Sequence, residues 1–250
     1  MILLYQFPRI WGLPNPSPFC LKLECWLRMT GLEYQVREVT DLRRTPRGKV
    51  PYIEADGETV SDSRHIIEFL SSRYEVGLDQ GLTSLERAES HAFSIMLEEH
   101  YYWALVYDRW VGSNQARTLR GVFGHMPLAL RPLVGMLVKR HMREELMGHG
   151  MGRHLPHQIY ELANQDMHAV SEFLGDKPYL MGSQPSTVDA TLYGLLCNVL
   201  HAPLESPLKD YIRRCGNLVA LTERIDSVWF ADFFGQAEAN DIMVSGYSVR

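Results

Sequence analysis

The sequence predicts an α/β domain over residues 1–76 followed by an all-helical domain over 83–250. Strand-like and helix-like patterns alternate up to about Tyr74, whereas beyond Thr83 only helical patterns remain. A chain of 250 residues has room for two modest domains and buries roughly 70–75% of its unfolded surface. Both halves can therefore hold a core.

Ile2 to Phe7 is apolar from its second residue and reads as a buried strand. It has no basic lead-in, so it does not read as a signal peptide. A loop with Pro8, Gly12, Pro14 and Pro16 follows, and Ser17-Pro18 opens a helix with Ser as N-cap and Pro at the first helical position. Phe19, Leu23, Trp26 and Leu27 recur at helical spacing until Gly31, a left-handed stop. Tyr34 to Val39 predicts a second strand. A polar connection with Arg43, Arg44, Pro46 and Gly48 leads to Val50-Pro51-Tyr52-Ile53, and Asp56-Gly57 then marks a hairpin turn before Thr59-Val60. Ser61-Asp62-Ser63 caps a helix whose apolar face is Ile66, Phe69 and Leu70. The order is βαβ, β-hairpin, α.

Gly77 and Gly81 bracket a linker, and Thr83-Ser84-Leu85-Glu86 has capping-box spacing, which predicts a long helix running towards Trp110. Gly124, Pro127, Pro132 and Gly135 interrupt the pattern between Gly121 and Gly152, so short or kinked helices are expected there. The mixture of Arg117, Arg120, Arg131, Lys139, Arg140 and Arg143 with Leu128, Leu130, Leu133 and Leu137 fits an interfacial amphipathic helix or, preferred here, a kinked helix packed in the second domain. Gln158 to Leu174 is amphipathic and ends at Gly175. Ser186 and Asp189, three apart, cap a further apolar helix, and Asp189 reads as a cap rather than a catalyst.

With 46% hydrophobic and 22% charged residues, the chain is neither disordered nor a small disulfide scaffold. A formal charge of −5 gives nucleic acid no electrostatic hold. Cys20, Cys25, Cys197 and Cys215 form no C-x-x-C pair, which fits a reducing, cytoplasmic setting. No stretch reaches the roughly 20 apolar residues of a transmembrane helix. His149, His154 and His157 cluster without a fourth ligand, so no metal is expected.

Chemistry concentrates at helix openings. Ser17 lies where unpaired N–H groups and the helix dipole stabilise an anion by roughly 0.3–1 kcal/mol, and its hydroxyl can donate to a bound thiolate. The plain alternative is that Ser17 only caps its helix. Cys20 sits one turn on; dipole logic lowers its pKa, while an inert buried thiol is the ordinary state of a free cysteine. Cys25 lies well around the helix from Cys20, which disfavours a dithiol. Val50-Pro51 predicts a cis bond at a strand start, leaving the Val50 N–H and C=O able to pair with an extended peptide. Asp62-Ser63 suits a zwitterionic amino-acid group, the helix end taking carboxylate and Asp62 taking ammonium.

Ser17-Pro18-Phe19-Cys20, Val50-Pro51 and Asp62-Ser63, in a βαβ, hairpin, α order, resemble the thioredoxin-like domain of glutathione transferases. The helical remainder with Ser186 to Asp189 resembles their second domain. The stretches 17–24, 46–53, 150–154 and 176–180 resemble more narrowly the failed-axon-connections and metaxin-like branch.

That resemblance implies glutathione as co-substrate: Val50 beside Pro51 pairing with the cysteinyl backbone, Asp62 and Ser63 holding the γ-glutamyl end, Lys49 reaching the glycyl carboxylate, and the sulfur near Ser17. Ser17 stands where cysteine-type relatives have their nucleophile, so serine-type activation is favoured over disulfide exchange through Cys20. An electrophile pocket is expected between the domains, with Tyr102, Trp103 and Tyr107 as its wall. The expected function is a homodimeric glutathione transferase acting on a small electrophile; the alternative is a non-catalytic protein-interaction module. A Cys20-dependent thiol transferase is the third reading.

Overall fold

A computed structural model describes residues 1–124 and 126–235. The expected second domain therefore extends, from 236 onward, outside the described residues. Its first half is β1 (Ile2–Gln6), α1 (Pro18–Thr30), β2 (Tyr34–Glu38), β3 (Tyr52–Ala55), β4 (Glu58–Ser61) and α2 (Ser63–Tyr74). The strands form one sheet in the order β2-β1-β3-β4, with β1 and β2 parallel and the other pairs antiparallel. Helix α1 is the connection that a parallel pair requires. The hairpin turns at Asp56 and Gly57, both at positive φ (52° and 85°), the geometry an Asp-Gly turn provides.

The second half is helical: α3 (Ser84–Met96), a π-turn (Leu97–Tyr101), α4 (Tyr102–Trp110), α5 (Gln115–Phe123), α6 (Arg131–His149), α7 (Pro156–Leu174), α8 (Thr187–Leu200), α9 (Pro207–Arg214) and α10 (Gly216–Trp229). The long helix expected from Thr83 is thus real but carries a π-turn at its centre. The architecture is thioredoxin-like followed by helical, as the sequence predicts.

One stretch differs. Instead of short or kinked pieces, α6 runs 19 residues, because Pro132 occupies its first turn, where no N–H is needed. Gly135 stays helical, facing Leu119 of α5. Nor is α6 fully packed: Leu133, Met136 and Leu137 are exposed.

Helix α1 is shared by both halves. Leu21, Leu23, Cys25, Trp26 and Leu27 are fully buried, each worth about 1.5–3 kcal/mol of apolar burial for the larger side chains. Its main partner besides the sheet is α8, which carries no side chain at the crossing. A Cβ on Gly194 would lie 2.4 Å from the carbonyl oxygen of Pro18 and 3.1 Å from the Lys22 nitrogen. Backbone meets backbone there, one residue past Ser17.

The buried Asp189 carboxylate fastens α8. It accepts from the Leu180 N–H (2.7 Å), the Ser186 N–H (2.8 Å) and the Ser186 hydroxyl (2.6 Å). From the linker, Asp79 accepts the N–H of Thr187 at 2.8 Å. Asp189 is a cap, as its spacing implied.

Candidate functional site at one end of the sheet

Strand register brings the distant segments together. Tyr5 of β1 pairs with Tyr52 of β3, which pairs with Ser61 of β4. The residues leaving β1, entering β3 and leaving β4 therefore share one end of the sheet. At that end lie the loop to Ser17, the Val50-Pro51 step, and Asp62-Ser63 at the head of α2.

Ser17 caps α1. Its Oγ accepts the Cys20 N–H at 3.4 Å, and its carbonyl accepts the Leu21 N–H at 2.9 Å. Capping uses one acceptor lone pair, and a hydroxyl still has its proton to donate. The cap and the thiolate donor are thus compatible roles for one side chain.

Cys20 reverses the dipole argument. It is fully buried, and desolvation pushes its thiol up to about 12, outweighing the stabilising hydrogen bonds from Ser17 and the Phe7 backbone. At neutral pH Cys20 is therefore held as the thiol. Native Cys20 is accordingly expected to resist iodoacetamide at pH 7.5 for hours and to react fully once unfolded. Mass mapping of alkylated peptides checks this, and rapid native labelling at Cys20 contradicts it.

The Val50–Pro51 bond is cis. Val50 is half-buried outside the strands, and among the described residues its backbone N–H and C=O have no hydrogen-bond partner. Lys49, in the preceding loop, is exposed. Asp62 adopts φ 80°, ψ 124°, a conformation costing about 1–3 kcal/mol in a non-glycine residue. Its carboxylate accepts the Arg64 N–H at 2.9 Å, which fixes it at the start of α2 beside the buried Ser63.

Residues invisible to local pattern brace this end of the sheet. Arg109, 6% exposed, donates to the Pro16 carbonyl at 2.7 Å, the Asn198 carbonyl at 2.8 Å and Asn198 Oδ1 at 2.9 Å. Asn198 Nδ2 donates to the Asn15 carbonyl at 3.1 Å, and Asn15 Oδ1 accepts the Ser17 N–H at 3.0 Å. Two helices of the second half thus hold the proline-rich loop ahead of Ser17. Burial lowers the Arg109 guanidinium to about 10, which leaves it charged at neutral pH. Glu98, on the π-turn, takes Lys22 of α1 as one partner and Arg64 of α2, at 3.2 Å, as the other. Short π-turns recur at functional sites, and this one aims a carboxylate at both helices of the sheet half.

One cavity at the domain junction is small. Pro18, Phe19, Lys22, Glu98, Tyr102, Thr191 and Leu195 enclose about 10 Å³, room for a single water. Tyr102 packs edge-on against Phe19, ring centroids 4.7 Å apart, and burial raises its phenol pKa. Trp103 stacks on His149 at 4.5 Å and Tyr107 meets Tyr160 at 6.0 Å, both away from that cavity.

Among the described residues, Cys197, His201 and Asp226 bring three ligand-type atoms within 4.8 Å of one another. The Asp226 oxygens already accept the Tyr193 hydroxyl at 2.6 Å and lie 2.8 Å from His201 Nε2, so the cluster closes without an ion. Among the described residues no helix is long and apolar enough to cross a membrane.

Comparison with known proteins adds the family context. The profile of the Glutathione S-transferase N-terminal domain matches residues 18–115, and that of the Glutathione S-transferase C-terminal domain matches 163–225. Failed axon connections of Drosophila melanogaster is 34% identical over 93% of this chain, which spans only 59% of that protein. The isoprene-epoxide–glutathione S-transferase of Rhodococcus sp. (strain AD45) is 32% identical, with 90% of this chain and 98% of the relative covered. Metaxin-3 of Xenopus laevis is 27% identical over 88% of this chain and 74% of the relative. A beta-etherase structure from Sphingobium superposes with TM-score 0.69 at 20% identity, covering 94% of this chain and 99% of that one.

Proposed function

Because the chain belongs to the glutathione S-transferase family, in its Failed axon connections and metaxin-like branch, we propose that it binds glutathione and activates its thiol for attack on a small electrophile. The observation carrying this reading is the sheet register, which brings the segments holding Ser17, Val50 and Asp62-Ser63 to one end of the sheet. Val50 would pair with the cysteinyl backbone in strand fashion. Asp62 and the α2 N-terminus would take the ammonium and carboxylate of the γ-glutamyl group, and Lys49 the glycyl carboxylate.

In this reading the Ser17 hydroxyl donates to the glutathione sulfur, favouring thiolate over thiol. An epoxide is the electrophile class to test first, given the name that the Rhodococcus relative bears. Sulfur forms a bond to an epoxide carbon, the ring C–O bond breaks, and the resulting alkoxide takes a proton from solvent. Dimerisation and a cytoplasmic setting belong to the same proposal.

The second reading, a protein-interaction module without catalysis, is favoured by the water-sized cavity at the domain junction. Calorimetry with glutathione separates the two: the first expects millimolar or tighter binding with 1:1 stoichiometry. Ser17→Ala should retain binding within a few-fold yet lose at least tenfold of the bound thiolate seen by ultraviolet absorbance. No heat of binding at millimolar glutathione would remove the transferase reading.

A further inference from the structure

Between Arg109 and Glu144 the chain contains no Asp or Glu, yet it carries Arg117, Arg120, Arg131, Lys139, Arg140 and Arg143. In a protein of formal charge −5 this is a marked segregation of charge. The same stretch holds the densest run of exposed large apolar side chains: Leu128, Leu130, Leu133, Met136 and Leu137 are between 47% and 77% exposed.

Helix geometry puts the two properties together. Positions 133, 136, 137 and 140 follow i, i+3, i+4, i+7 spacing, so Leu133, Met136, Leu137 and Arg140 share one face of α6. Met147, two turns further along that face, is also exposed. The opposite side, with Gly135 and Leu146, is buried. Arg143 flanks the outward face, and on α5 the exposed positions 117 and 120 are both Arg. Glu144 is the one carboxylate on that face, and Arg140 already holds it at 2.8 Å.

The occupant follows from charge and shape. A second copy on a two-fold axis would set this patch against itself, arginine against arginine, with Glu144 already held by Arg140 and Glu145, which lies to one side of the patch, as the one exposed carboxylate of α6 left to offset them. The apolar positions are Leu and Met rather than aromatic, so they offer no stacking platform for single-stranded nucleic acid. An anionic lipid leaflet meets both demands: its headgroups take the guanidinium groups, and its acyl boundary takes aliphatic side chains without a matched surface. The geometry points to α6, with the turn before it, as a docking face that lies in the surface of an anionic membrane. This assignment is independent of glutathione binding.

Vesicle co-sedimentation of the full chain tests it. The protein should pellet with phosphatidylcholine vesicles containing phosphatidylglycerol, remain in the supernatant with pure phosphatidylcholine, and be released by high salt. Arg140→Gln with Arg143→Gln should weaken partitioning by about 25-fold, roughly fivefold per cation. Leu133→Ser, Met136→Ser and Leu137→Ser together should abolish it while lowering the melting temperature only slightly, because all three are more than half exposed. Equal behaviour with neutral and anionic vesicles, or native-like binding by the triple variant, would overturn the assignment. So would sedimentation velocity showing a dimer that the triple variant dissociates while vesicle binding is absent.

Discussion

Replacing Arg109 with Met is expected to destabilise the fold by about 3–5 kcal/mol and to release the loop ahead of α1. Three acceptors lose their donor at once: the Pro16 carbonyl, the Asn198 carbonyl and Asn198 Oδ1. Each buried acceptor left bare costs about 1–3 kcal/mol, and relief of the buried cation's own desolvation offsets part of that. Methionine matches the volume of the arginine stem, so the loss is polar rather than a cavity. Arg109→Lys should not recover it, because one ammonium cannot span acceptors on the loop and on α8 with the planar fork of a guanidinium. Thermal melts measure the stability, and hydrogen exchange supplies the local readout: amides from Leu13 to Leu21 should exchange at least tenfold faster while those of β1 and β3 remain protected. Uniform protection across that loop, or a native melting temperature in the methionine variant, would contradict the brace.

Asp189→Ala is expected to cost about 3–4 kcal/mol, a fall of about 10 °C in melting temperature for a chain of this size. Its carboxylate satisfies the Leu180 N–H, the Ser186 N–H and the Ser186 hydroxyl, all away from water. Alanine leaves the two backbone donors and the hydroxyl without a partner at the head of the helix that carries Gly194 and Asn198. Asp189→Asn should recover only part of the loss, because its amide nitrogen would present a donor where a donor already points. Differential scanning calorimetry of both variants checks this; a drop below about 3 °C for the alanine variant would mean that solvent reaches those groups.

These two residues mark what could and could not be read from sequence. Asp189 was legible because its partners lie within nine residues, in a pattern that helix starts use repeatedly. Ser17-Pro18, Gly31 and Asp56-Gly57 were legible for the same reason: each sets its own backbone geometry. Arg109 was not, since Pro16 lies 93 residues away and nothing local marks an arginine as a buried brace. The Glu98 junction has the same character, reaching Lys22 across 76 residues and Arg64 across 34. At Cys20 the helix dipole is visible in sequence, whereas complete burial, the larger effect and the one that goes with an inert free cysteine, is a tertiary property. In α6, Pro132 read as a breaker, but it is the residue that starts the helix.

The contact at Gly194 constrains how the chain can diversify. Where α8 lies against the first turn of α1, even one added carbon would press on the Pro18 carbonyl next to Ser17. Neither half is thus a freely exchangeable cassette: a helical segment grafted from elsewhere must present a bare α-carbon at that turn, or the mouth of α1 shifts.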